Sequence, residues 1–248
     1  MLRTAGFRKY LTNTSWLFFE RVVRLGVVLA TGVLVARYLG PELFGQLNYA
    51  TCFVGLFFAL TTMGLDEIIV RDMVKHPERK DELLGTSAVI KLAGSVILVL
   101  LVLISTFVRD MSPLSAMLVM IIAVAELLRP FQVIDWYFAA QVRSRETVIV
   151  QMVQVFISAG FKIALVVMEA PLIYFAWVYV LEGTVIAIGY AFMYVREGAS
   201  LKAWRYTRAM SGYLLGQSWP LIIYGMALYV QAKIDQVMIF DVLKGRVG

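Results

Sequence analysis

Glu20 and Arg24 stand four residues apart in "WLFFERVVRLGVVLATGVLVARYLG", an otherwise apolar stretch that begins at Trp16, and Arg21 lies between them. A carboxylate and a guanidinium at i and i+4 can pair across one helical turn. A guanidinium without such a partner can hold two phosphate oxygens at once through its planar fork. The same types recur inside other apolar stretches: Lys91, Glu126, Arg129, Asp135, Lys162, Glu182, Lys233 and Asp235. Their chemistry is ion pairing or anion binding. Metal and thiol chemistry have almost no residues to work with, since Cys52 is the only cysteine and His76, in the charged run "RDMVKHPERKDE", the only histidine. No metal site and no cofactor is expected.

The elements that carry these charges belong in a bilayer. Apolar residues make up 60% of the 248 and charged ones 16%, with a mean hydropathy of +0.79. A soluble domain carries about a quarter charged residues, so this surface must face lipid. Crossing about 30 Å of hydrocarbon takes roughly 20 apolar residues in a helix, and helices satisfy their backbone within their own segment. Seven spans are expected, near Thr14–Tyr38, Phe44–Val70, Leu83–Val108, Leu114–Ala140, Thr147–Met168, Leu172–Val195 and Tyr213–Val242. The fold class is all-α, a polytopic membrane helix bundle.

The connections alternate in charge. Thirteen basic residues fall in one set, among them Arg71, Lys75, Arg79, Lys80, Arg143, Arg145, Arg196, Lys202, Arg205 and Arg208. The opposite set holds four: Arg37, Arg109, Lys244 and Arg246. The positive-inside rule then places the N-terminus in the cytoplasm of a multi-pass protein of the inner (plasma) membrane. The basic start "MLRTAGFRKYLTNTS" reads as a cytoplasmic tail rather than a signal peptide. Attraction to anionic headgroups accounts for these loop charges. The outer connections "LGPEL", "RDMSP" and "EAP" leave little room for acids and bases around a substrate, which argues against an enzyme.

A central Arg, Lys or Asp costs about 2.5–3.5 kcal/mol on insertion, so three charges in the first span are tolerable only where they face protein or water. At about 100° per residue, Glu20, Arg24 and Arg21 fall within one arc, and Thr31 continues it. Phe18, Val22, Leu25 and Leu29 occupy the opposite, lipid-suited side. Gly26 and Ala30 offer a close approach to a neighbouring helix. Arg24, Glu126, Arg129 and Glu182 lie at comparable depth, with Lys162 a little further out. In "AELLRPFQVIDW", Pro130 removes an N–H and crowds the carbonyl of residue 126. Irregular helices of this kind line cavities in transporters. Two readings stay open at this point: ion pairs that hold a bundle together, or a hydrated cavity whose arginines meet an anionic ligand.

Three motifs go further: "ARYLGPELFGQLNYA", "MGLDEIIVRDM" followed by "ELLGTSAVIKL", and "SWPLIIYGMALYVQAKIDQVMI". Together they resemble the polysaccharide and oligosaccharide flippases, O-antigen translocase-like members of the multidrug/oligosaccharidyl-lipid/polysaccharide exporter superfamily. The resemblance implies a two-lobed transporter that flips undecaprenyl-diphosphate-linked oligosaccharide for surface polysaccharide biosynthesis. Residues 1–13 would be a cytoplasmic tail, 14–195 the six-helix first lobe, 196–212 an interfacial linker and 213–248 the first helix of a second lobe. The family pattern continues for five or more helices beyond "KGRVG", so a truncated fragment is expected.

The resemblance implies that Arg24 stands where these flippases turn a basic residue of the first helix toward the cavity, and the other charges within the spans of this chain supply the remaining candidates. Arg24, Arg129, Lys91 and Lys162 would bind the substrate diphosphate. Glu20, Glu126, Glu182, Asp66, Arg71 and Asp235 are candidate coupling or gating groups. Asp66 and Arg71 match the motif that ends the second helix, with a helix-end ion pair as their plainer explanation. Asp235 and Gln236 match the "DQ" of the seventh helix. The implied partners are the lipid-linked oligosaccharide, the bilayer, and the polysaccharide polymerase and chain-length machinery; nucleic acid is not among them. The competing functions are an ion-coupled drug or metabolite exporter of the same fold and a non-transporting membrane fragment.

Overall fold

The computed structural model describes residues 2–221 apart from Met63 and Asp110, together with Ile223, Tyr224, Ala227 and Gln231; for residues 2–13 and Ala59 only the backbone is described. Among the described residues the chain is helix and connecting turn, with no strand. The long helix α1 (Leu2–Gly55) has two arms that meet at Gly40, where φ is +71° and ψ 172°. Only glycine adopts that conformation without a Cβ penalty. Pro41 then begins the second arm, at a position where its missing N–H costs nothing.

The second expected span, Phe44–Val70, is not one helix. After α1 come a turn over 56–58, the single turn α2 (Ala59–Thr62), a second break at Gly64 (φ +58°), and α3 (Asp66–Lys75). At the first break the ladder tightens, with Phe57 N–H on the Val54 carbonyl at 3.1 Å and Phe58 N–H on the Gly55 carbonyl at 2.9 Å. These two N–H groups at the first break are therefore satisfied within the protein, as depth in a bilayer demands.

Helix α4 (Lys80–Val108) is continuous, whereas the fourth expected span divides into α5 (Pro113–Ala125), a 3₁₀ segment (Glu126–Gln132) and α6 (Val133–Ala140). Pro130 sits inside the 3₁₀ segment, and its lack of a donor gives the local reason for the tightened winding. Helices α7 (Ser144–Val167) and α8 (Leu172–Arg196) follow, then a 3₁₀ turn (Leu201–Ala203) and a helix α9 over 208–221.

Five helical stretches are long and apolar enough to cross a bilayer: Thr14–Gly55, Pro77–Val108, Pro113–Ala140, Ser144–Val167 and Leu172–Arg196. The chain is thus a multi-pass membrane protein. The count falls below seven because the second expected span is broken and most of the seventh, Tyr213–Val242, lies outside the described residues. Lys233, Asp235 and Gln236 also lie outside them.

Two apolar cores form at opposite ends. One gathers Val35, Phe53, Val102, Leu118 and Phe175; the other gathers Ile69, Leu84, Ile134, Val150, Tyr194 and Leu214. Each of α4, α7 and α8 contributes to the first core at one end and the second at the other. The basic connections around 75–80, 140–144 and 196–208 accordingly share the end of the second core. Phe18, Val22, Leu25 and Leu29 are exposed, as a lipid-facing stripe must be. Gly26 and Ala30 are exposed as well, with nothing within 4 Å of a Cβ built at Gly26, so no described helix uses that close approach.

Candidate substrate cavity

Arg24 does not point at lipid. Its Nε donates to the buried Glu20 one turn earlier, and its Nη2 donates to Gln151 Oε1 on α7 at 2.5 Å. The Gln151 amide in turn donates to the Tyr190 hydroxyl on α8 at 3.1 Å. This chain of bonds sets α1 against α7 and α8 and fixes the guanidinium at depth. Arg21, expected on the same arc, is exposed instead. A step of about 100° carries it past the edge of the protein-facing side. Thr31 is buried and returns its hydroxyl to its own helix, donating to the Val27 carbonyl at 2.7 Å.

The 3₁₀ segment supplies the second cation. Arg129 Nε lies 2.5 Å from Glu126 Oε2, and its guanidinium covers the Phe58 ring at 4.3 Å from the centroid. The Thr61 hydroxyl, which donates to the Phe58 carbonyl at 2.9 Å, lies 3.4 Å from the same Glu126 oxygen. The break in the second span and the distortion in the fourth therefore meet at one place. The third cation, Lys162 on α7, donates to Glu182 on α8 at 2.9 Å, and Ser158 donates to the same carboxylate oxygen.

Arg24, Glu126, Arg129 and Glu182 line a single cavity of about 260 Å³ with Gln132, Gln154 and Tyr179. Gly183 lets α8 close on the 3₁₀ segment; a Cβ there would sit 3.1 Å from a Leu128 methyl. The cavity cations are paired, each with its own carboxylate. Yet Arg24 keeps 39% of its side chain exposed and Arg129 31%, so both guanidinium groups retain donors for a ligand.

Lys91 is placed differently. It is 2% exposed, does not line the cavity, and sits with Nζ 4.7 Å from the centre of the Trp136 ring. Among the described residues it has no hydrogen bond or ion pair; the charges acting on it are Asp66, Arg129, Glu126 and Asp135. Asp135 accepts from Thr147 at 2.7 Å.

Asp66 and Arg71 do not pair with each other. Arg71 Nε donates to Asp72 at 2.9 Å and its Nη2 to Gln217 on α9 at 2.7 Å, while the Tyr213 hydroxyl donates to Asp72 at 3.0 Å. Asp66 opens α3 and Arg71 follows five residues later, well over a turn away, whereas Asp72 is the adjacent residue. The contact joins α3 to α9 at the end of the second core.

Sequence reasoning missed Phe58, Thr61, Gln151, Gln154 and Tyr190. Gln151, Gln154, Ser158 and Lys162 step along α7 by three or four, a polar stripe legible in "QMVQVFISAGFK". Phe58 and Thr61 carried no such signal, because their position depends on a break that hydropathy does not reveal.

A bundle of apolar helices around a polar, ion-paired cavity is the architecture of a membrane transporter. The polysaccharide biosynthesis protein family model matches residues 10–247, and the chain belongs to that family, a family of flippases within the multidrug/oligosaccharidyl-lipid/polysaccharide exporter superfamily. No curated protein and no solved structure matches it.

Proposed function

We propose that this chain takes part in flipping undecaprenyl-diphosphate-linked oligosaccharide across the plasma membrane, with its N-terminus cytoplasmic and residues 14–195 acting as the first lobe. The observation that carries this reading is the convergence of Arg24, Arg129, Glu126 and Glu182 on one cavity from α1, the 3₁₀ segment and α8. Desolvation of the polar glycan and diphosphate is the main barrier to crossing, and a hydrated cavity lined by guanidinium groups lowers it. The lipid tail stays in the bilayer.

The pairing suggests how binding and release alternate. Glu20 and Glu126 pair with Arg24 and Arg129, and the diphosphate takes over those donors when it enters. Lys162, held by Glu182, is the third group of this kind, and Lys91 adds positive potential from behind the 3₁₀ wall. Protonation of the displaced carboxylates would couple the exchange to an ion gradient. Asp66, Arg71 and Asp235 serve gating, with the Arg71–Asp72–Tyr213 contact as its described part. The polymerase and chain-length machinery are the proposed partners. A drug exporter of the same fold would favour organic cations, and the cavity's balanced charges do not.

The test is Arg24→Glu in the full-length protein in cells lacking the endogenous copy. Surface glycan is expected to fall at least about tenfold, the equivalent of 1.4 kcal/mol in substrate binding, with the protein still inserted. Normal glycan export would overturn the role of Arg24. Labelling in a Cys52→Ala background tests the cavity itself: Arg24→Cys should react with a membrane-impermeant maleimide and Leu25→Cys should not.

A further inference from the structure

The 3₁₀ segment is a wall with two sides. Glu126, Leu128, Arg129 and Gln132 face the polar cavity, whereas Leu127, Pro130 and Phe131 face a second, apolar one of about 350 Å³. That second cavity is completed by Gly85, Ala88, Val89 and Leu92 of α4 and by Trp204 and Tyr206 of the segment between α8 and α9. Val89 and Leu92 are exposed, so it opens on the lipid side of α4.

Its roof is held in place. The Arg205 N–H donates to the Asp81 carbonyl at 3.1 Å, the Thr207 hydroxyl to Glu82 at 2.7 Å, and the Trp204 indole to the Tyr194 hydroxyl at 3.2 Å. Lys202, Arg205 and Arg208 are exposed along this roof, and among the described residues none of them pairs with a carboxylate. Glu82, the acid bound to the strap, is already engaged by Arg79.

We infer that this cavity is a binding site for an anionic phospholipid of the surrounding bilayer, one acyl chain lying against Val89, Leu92 and Phe131 and the phosphate held by Lys202, Arg205 and Arg208. Unpaired cations alone would attract anionic headgroups from a distance. A fixed apolar recess lined by Trp204 and Tyr206 of the same segment, residue types that sit at membrane interfaces, gives the tail a defined place as well. The site is separate from the cavity of Arg24, so the inference does not depend on the flippase reading.

The experiment uses the full chain in phosphatidylcholine nanodiscs with trace phosphatidylglycerol bearing a photoreactive acyl chain, and a matched photoreactive phosphatidylcholine. The phosphatidylglycerol probe is expected to label peptides spanning 85–92 and 127–131, and unlabelled phosphatidylglycerol to compete. Each of Lys202→Gln, Arg205→Gln and Arg208→Gln should weaken labelling about fivefold, the worth of one basic residue at an anionic surface. Ala88→Phe, and Val89→Trp at an exposed position less able to disturb folding, should abolish it. Arg24→Glu should leave it unchanged. Equal labelling by the two probes, indifference to the charge variants, or crosslinks to a second copy of the chain in place of lipid would each overturn the assignment.

Discussion

The guanidinium of Arg129 lies over the ring of Phe58, 4.3 Å from its centroid, and so ties the break in the second expected span to the 3₁₀ segment of the fourth. Neither irregularity stands alone. Thr61, three residues past Phe58, reaches Glu126, three residues before Arg129. A cation over an aromatic face contributes about 0.5–2 kcal/mol, more when desolvated. Phe58→Leu removes the ring face while keeping apolar bulk. It is expected to destabilise the protein by about 1 kcal/mol, read as a lower unfolding midpoint in detergent, and Phe58→Trp to retain most of the stability.

The Lys162–Glu182 pair between α7 and α8 is about a quarter exposed on each side, which leaves it partly desolvated. Removing one partner strands the other charge. Lys162→Met should therefore cost about 1–3 kcal/mol. The double variant with Glu182→Gln should recover most of that loss, because the uncompensated carboxylate is gone. Thermal unfolding of the two single variants and the double one measures the coupling.

Gly85 and Gly189 separate two kinds of tight contact. A Cβ on Gly85 would meet the Arg205 backbone at 2.6 Å, whereas on Gly189 it would meet a Val150 methyl at 2.7 Å. A strap backbone anchored on both sides yields less readily than a side chain. Gly85→Ala is expected to lift residues 204–207 from α4 at a cost of about 1–3 kcal/mol, and Gly189→Ala to cost less. Trypsin cleavage at Lys202 and Arg205 should accelerate in the first variant and not in the second.

Arg143, in the turn between α6 and α7, holds Glu197 through two bonds of 2.5 and 2.7 Å and Glu146 through one of 2.8 Å. The guanidinium keeps the Glu197 carboxyl below its ordinary range. Its contribution is therefore complete above the ordinary carboxylate value and is lost as pH falls through the lowered one. Protection of the 196–201 amides against hydrogen exchange, taken relative to their intrinsic rate at each pH, should fall on acidification in that window. Glu197→Gln should show the lower protection already at neutral pH and little further change with acid.

Much of this molecule was legible before folding was considered. Hydropathy and length located α4, α7 and α8 within a few residues, and "LGPEL" marked the break at which Gly40 leaves the helical conformation. The i,i+4 spacing of Glu20 and Arg24 was enough to foresee their pairing. Pro130 signalled an irregular fourth span, because a missing donor is a property of one residue type. The spacing of Arg21 misled, since a helical wheel shows an arc but not how wide a strip the neighbouring helices cover.

By itself the sequence determined that the chain is an apolar helix bundle carrying charges at a common depth, because hydropathy and helical period are local properties. Tertiary structure alone decided which charge faces which. Arg71 turned to Asp72, Lys91 withdrew over Trp136, and Arg24 reached Gln151, a residue 127 positions away. Such choices depend on how separate helices pack, and in a bilayer each buried polar group settles on whichever partner that packing brings within reach.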